Sequence, residues 1–123
     1  MRQAIARYDG IEVDNAGDGF FVRFESPGRA IEAARAARGA VAALGLRIRA
    51  GVHTGECELE HRGLAGLAVH LAARIQGAAA PGEILVSGTA RDLAVGSGLR
   101  FDDRGEHALR EVPGRWRLHA LVD

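Results

Sequence analysis

Lysine does not occur in this chain: all 16 basic residues are arginine. Chemistry that requires a lysine amine therefore cannot be carried by these residues. Cysteine is nearly as scarce. The single Cys57 excludes an internal disulfide and any cysteine-based zinc site of ordinary ligand count, and a reduced, cytoplasmic setting is the expectation. Nor is there a charge surplus. Sixteen acidic residues balance the arginines at a pI near 7.0, which argues against a nucleic-acid or anionic-membrane binder. No apolar run approaches the roughly 20 residues that a membrane helix needs, and no signal-peptide pattern precedes residue 30. No nucleic-acid partner and no membrane segment are expected.

What remains is the composition of one small globular domain. At 123 residues, with 47% hydrophobic residues, the chain has room for a single core spanning 1–123. Residues 2–8 carry Ala4, Ile5 and Tyr8 at helical spacing and read as the last turns of a helix stopped at Gly10. A domain that opens in the tail of a helix is expected to be incomplete at its start.

Alternating Ile11–Asp14, the turn formers Asn15–Gly19 and strand-like Phe20–Phe24 predict a β-hairpin. Ser26-Pro27 predicts a helix start, with Ile31, Ala34, Ala37, Val41 and Leu44 on one face and Gly45 as the stop. Leu46–Val52 alternates as a half-buried strand. After a polar segment, Glu56–Arg62, a second helix is expected over Leu64–Ala78 with a stripe of Leu64, Leu67, Leu71 and Ile75. Pro81-Gly82 then leads into a short strand Glu83–Val86, a short helix Ser87–Val95, an extended piece from Phe101, and a last strand Arg115–Val122 after Pro113-Gly114. Strands and helices mix without strict βαβ repetition, so the class is α+β with a largely antiparallel sheet.

Three places can carry chemistry. Gly17-Asp18-Gly19 raises a carboxylate on a tight turn where glycines let a phosphate approach, a donor that suits Mg²⁺; Asp-Gly is also simply a favoured hairpin turn. His70 and Arg74, at i and i+4, share a helix face, with Gly63 two turns earlier on about the same face. Arginine there can clamp a phosphate with its planar fork of donors, or merely face solvent. His53 ends a strand; with no second ligand at metal spacing, it reads as a hydrogen-bonded structural histidine.

The order of these pieces adds to the reading. Gly-Asp-Gly-Phe-Phe (17–21), Ser-Pro-Gly-Arg-Ala-Ile (26–31), Arg-Ala-Gly-Val-His-Thr-Gly-Glu (49–56), Ala-Val-His-Leu-Ala-Ala-Arg-Ile (68–75), Pro-Gly-Glu-Ile-Leu-Val-Ser (81–87) and Asp-Arg-Gly-Glu-His-Ala-Leu with Val-Pro-Gly-Arg-Trp (103–116) follow one another. Together they closely resemble the class III adenylate/guanylate cyclase catalytic domain, most strongly its actinobacterial branch, over essentially the whole chain. The resemblance implies a ferredoxin-like sandwich with a largely antiparallel sheet. It also implies conversion of ATP or GTP to a 3′,5′-cyclic nucleotide plus pyrophosphate, with Mg²⁺ or Mn²⁺, at the interface of a homodimer or with a cyclase-domain partner.

Carried over residue by residue, the resemblance makes Asp18 a metal ligand, with Gly17 and Gly19 flanking the phosphates. It makes Arg74 the stabiliser of charge on the transferring phosphoryl group and puts His70 in place of a ribose-orienting asparagine. Asp14 falls where the family commonly has a purine-selecting lysine, and Gly63 where it has a purine-selecting aspartate. The family's first metal-binding aspartate, on an N-terminal strand, has no match. A central strand missing from the sheet would bare two rows of backbone donors and acceptors, so either the chain is a fragment or a partner supplies the strand. The expectation is a cyclase-family domain that is inactive as this isolated chain; the other reading is a non-catalytic dimerisation or nucleotide-sensing module.

Overall fold

The computed structural model describes residues 3, 11–16, 19–24, 26–54, 58–60, 63–65 and 67–122. The proposed N-terminal helix end at 2–8 lies outside the described residues apart from Gln3. Strands β1 (Ile11–Ala16) and β2 (Gly19–Arg23) pair antiparallel, with a register shift between Glu12 and Asp14. This is the hairpin expected from the alternation, with strands one or two residues longer toward the turn.

Ser26 starts helix α1 (Pro27–Ala42) as its chemistry requires. Its extended backbone leaves the hydroxyl free to accept the Arg29 N–H at 3.3 Å, and Pro27 occupies the first turn, where no N–H is needed. Gly45, at φ +77°, terminates the helix in the left-handed conformation that glycine adopts without strain. The buried face is Ile31, Ala33 and Ala37. Leu44, placed on that face from periodicity, is instead 75% exposed, because the helix has already ended.

The main sheet has the order β3-β6-β8-β7, formed by β3 (Ala50–Val52), β6 (Ile84–Ser87), β8 (Arg115–Val122) and β7 (Arg100–Ala108). Only β3 and β6 are parallel; the other pairs are antiparallel. The strand expected over 46–52 shortens to its last three residues. Leu46 is exposed, and the 46–49 segment is tied to the neighbouring turn by a bond such as Gly82 N–H to the Ile48 carbonyl, 2.7 Å. The second helix also begins later than expected. Gly63–Ala65 is a strand, β5, paired antiparallel with β4 (Glu58–Glu60), and helix α2 runs Leu67–Ala78. Leu64 therefore belongs to a hairpin, and Gly63 does not share a helix face with His70.

Period-two alternation in β6 divides the core. Ile84 and Val86 pack with Ile31 of α1, Val52 and Ala90 of the short helix α3 (Gly88–Leu93), whereas Leu85 packs with Leu71 and Ile75 of α2, Leu118 and Ala120. Among the described residues the sheet is thus covered on both faces, by α2 on one side and by α1 and α3 on the other. Gly51 sets how closely α2 lies: a Cβ there would sit 2.3 Å from the Gln76 amide nitrogen and 2.7 Å from the Ala72 carbonyl oxygen. No helix among the described residues is long and apolar enough to cross a membrane.

Candidate functional site

Burying Leu71 and Ile75 fully turns the adjacent stripe of α2, His70 and Arg74, along the edge of the core. Both side chains meet one carboxylate. Arg74 Nη2 donates to Glu111 Oε2 at 2.8 Å, and His70 Nε2 lies 3.9 Å from the same oxygen. The Arg74 side chain is 28% exposed, yet its Nε–H is buried without a hydrogen-bond partner among the described residues. A guanidinium binds planar oxyanions through paired donors; here Glu111 takes one of them.

Glu111 is placed by the turn between β7 and β8. Leu109 and Val112 are both buried in the cluster that holds Leu71 and Ile75, and the Val112 N–H donates to the Leu109 carbonyl at 3.1 Å. Closing that turn puts Glu111 at φ 63°, the one positive-φ non-glycine residue among those described, in a turn position that usually takes glycine or asparagine. The sequence reading missed Glu111. Its two flanking motifs were recognised, but an acidic residue between Arg110 and Val112 carries no signal of its backbone conformation or of its distant partner on α2.

The other assigned residues are less fully placed. Asp14 lies in β1 opposite Phe21, Gly19 opens β2 opposite Ala16, and Gly63 opens β5 opposite Glu60. Gly17 and Asp18 lie outside the described residues. Among the described residues no group of three or more His, Cys, Asp or Glu converges as a metal cage. His70 and Arg74 are therefore the two assigned side chains that the described structure brings together.

His53 is the structural histidine expected at the end of β3. Its Nδ1 lies 2.7 Å from Ser87 Oγ, and its ring stands edge-on to Trp116 at 6.2 Å between centroids. Ser87 caps α3 by accepting the Ala90 N–H at 3.2 Å. The same hydroxyl therefore links the cap of α3 to the His53 ring. Partial burial pushes the His53 pKa below its ordinary 6.5. Ser87 is fully buried, and the pair joins the ends of β3 and β6.

A separate open groove of about 610 Å³ lies between α3 and the β7–β8 pair. It does not include His70 or Arg74. Two of its arginines are matched by acids: Arg117 grips Asp103 at 2.8 and 2.9 Å, and Arg91 meets Asp92 at 3.2 Å. The Gly105 N–H and then Arg117 hold the Asp103 carboxyl below its ordinary range.

No family model matches the chain. Over 121 residues, covering 91% of this chain and 21% of the relative, the sequence is 31% identical to a Rhizobium meliloti (strain 1021) protein named adenylate cyclase 3. Over 86 residues, 63% of this chain and 12% of the relative, it is 38% identical to a receptor-type adenylate cyclase of Trypanosoma congolense. The chain thus spans a minor part of the curated relatives it matches. The fold superposes on the crystal structure of an adenylate/guanylate cyclase/hydrolase from Silicibacter pomeroyi with a TM-score of 0.91, at 26% identity, covering 99% of this chain and 76% of that one.

Proposed function

We propose, from the premise that this chain belongs to the class III adenylate/guanylate cyclase family, that it binds a nucleoside triphosphate with Arg74 on the phosphates and that residues 1–123 alone do not turn it over. The observation that carries the binding half is the state of Arg74: a partly exposed guanidinium on α2 that already holds one carboxylate oxygen. Charge and donor geometry of that kind support an oxyanion as its ligand.

The family reaction forms a bond from the ribose 3′-oxygen to the α-phosphorus and breaks the bond to the β-phosphate, releasing pyrophosphate. Negative charge builds on the phosphoryl oxygens and the leaving group, and positioned cations supply most of the acceleration in such transfers. Arg74 meets that charge, and its anchoring on α2 keeps it in place without reorganisation. A divalent ion, Mg²⁺ or Mn²⁺, supplies charge neutralisation and activation of the 3′-oxygen when bound, and in this reading Asp18 holds it together with the substrate's own phosphates. One carboxylate plus phosphate oxygens is a donor set that Mg²⁺ accepts, but it is thin for the two ions such transfers use. Asp14 brings a negative charge to a position assigned to the base, and Gly63 offers it no side-chain hydrogen bond. Both work against purine selection as the family performs it, and they favour a nucleotide-sensing role as the second reading.

The partner is a second cyclase domain in the cytoplasm, most simply another copy of this chain related by a twofold axis, with Asp18 and Arg74 facing each other across two equivalent sites. The test combines turnover and binding. With Mn²⁺ and either ATP or GTP, the chain should form no cyclic nucleotide above background, while a fluorescent ATP analogue should bind and lose affinity in Arg74→Ala. Robust cyclic AMP formation by the chain alone refutes the first half; equal binding by wild type and Arg74→Ala refutes the second.

A further inference from the structure

We propose that Glu111 is an internal competitor for Arg74: its carboxylate engages the guanidinium and must be displaced by an incoming polyphosphate, so that it sets nucleotide affinity. This rests on the reading of Arg74 as the phosphate ligand and adds to it a residue that weakens binding.

Three observations carry it. The turn is anchored on both sides by buried Leu109 and Val112, and it forces Glu111 to a φ of 63°. A non-glycine side chain in that conformation is strained, and such strain persists where the surrounding structure over-determines it. The carboxylate is also the group Arg74 touches, at 2.8 Å, and the same oxygen lies 3.9 Å from His70, so one acidic oxygen covers both assigned side chains of α2. Finally, the grip is single-pointed and reversible. Glu111 is 61% exposed, free to swing into water, whereas Arg74 is only 28% exposed and stays on its helix. A polyphosphate, which carries more oxygens than one carboxylate, competes for that same Nη2 end of the guanidinium.

A half-exposed ion pair keeps its partner engaged for between about half and five-sixths of the time, which raises an apparent dissociation constant about two- to sixfold. Repulsion between Glu111 and a polyanion acts in the same direction. The probe is inorganic tripolyphosphate, titrated calorimetrically into the whole chain as wild type, Glu111→Gln, Arg74→Ala and the double variant. Glu111→Gly, which also relieves the backbone, serves as a second variant, and circular dichroism verifies folding of each. We expect Glu111→Gln and Glu111→Gly to bind about two- to sixfold tighter than wild type, and the gain to vanish when Arg74 is alanine. Binding that depends on Arg74 but does not tighten on loss of Glu111 overturns the competitor alone. A gain that persists without Arg74 also overturns it, reducing the effect to general charge. Binding indifferent to Arg74 in every background overturns the phosphate reading and the competitor together.

Discussion

Adding one methyl group at Gly51 should unseat the helix that carries Arg74. The alanine Cβ would lie 2.3, 2.7 and 2.8 Å from Gln76 N, Ala72 O and Gln76 Cα. All three are backbone atoms, so no side chain can rotate away; α2 itself has to retreat by about 1 Å to restore ordinary contact. That retreat loosens Leu71 and Ile75, both fully buried, against Leu85 and Leu118. Overpacking of this kind costs about 1–3 kcal/mol, which for a chain of this size lowers the melting temperature on the order of 5–10 °C. Gly39 provides the matched control. It lies within α1 with nothing within 4 Å of its notional Cβ, so alanine there should stabilise by about 0.5–1 kcal/mol through helix propensity. Thermal melts followed by circular dichroism compare the two: the same chemical change should move the midpoint in opposite directions. A Gly51→Ala chain that melts at or above wild type would refute the close packing of α2 on β3.

Ser87→Ala removes both the α3 cap and the hydrogen-bond partner of His53 Nδ1; urea denaturation should show a loss of about 1–3 kcal/mol, and an unchanged midpoint would contradict the pairing. Because burial places the folded pKa of His53 below the unfolded 6.5, the unfolded chain binds the proton first as the solution is acidified. The contribution of this residue is therefore complete above about pH 6.5 and is lost progressively below it, so wild type should lose more stability than His53→Gln between pH 7.5 and 5.5; parallel losses would exclude it. Mn²⁺ titration should distinguish wild type from Asp18→Asn, with weaker binding in the variant, and superimposable curves would leave Asp18 as a turn residue only.

Much of this protein was determined by short-range chemistry that the sequence displays directly. Ser26-Pro27 opens α1 and Gly45 closes it because capping and left-handed backbone are properties of those residues. Pro113-Gly114 precedes a strand whose limits, Arg115–Val122, match the reading residue for residue. The family, too, was legible in the order of the motifs, since each motif is a local event. Where the reading missed, the deciding partner was far along the chain. Leu64 fits a helical stripe and also a strand, and pairing of Glu58–Glu60 with Gly63–Ala65 chose the strand. Leu46 alternates like the rest of its segment, but only Ala50–Val52 finds a ladder partner in β6. Arg74 was recognisable as a cation on a helix face; that a glutamate 37 residues away holds it follows only from packing. Buried Leu109 and Val112 hold the β7–β8 turn against α2, which brings the Glu111 carboxylate within reach of Arg74. Local sequence determines what a segment prefers, whereas the competition among preferences and the meeting of Arg74 with Glu111 are settled by which surfaces the core brings together.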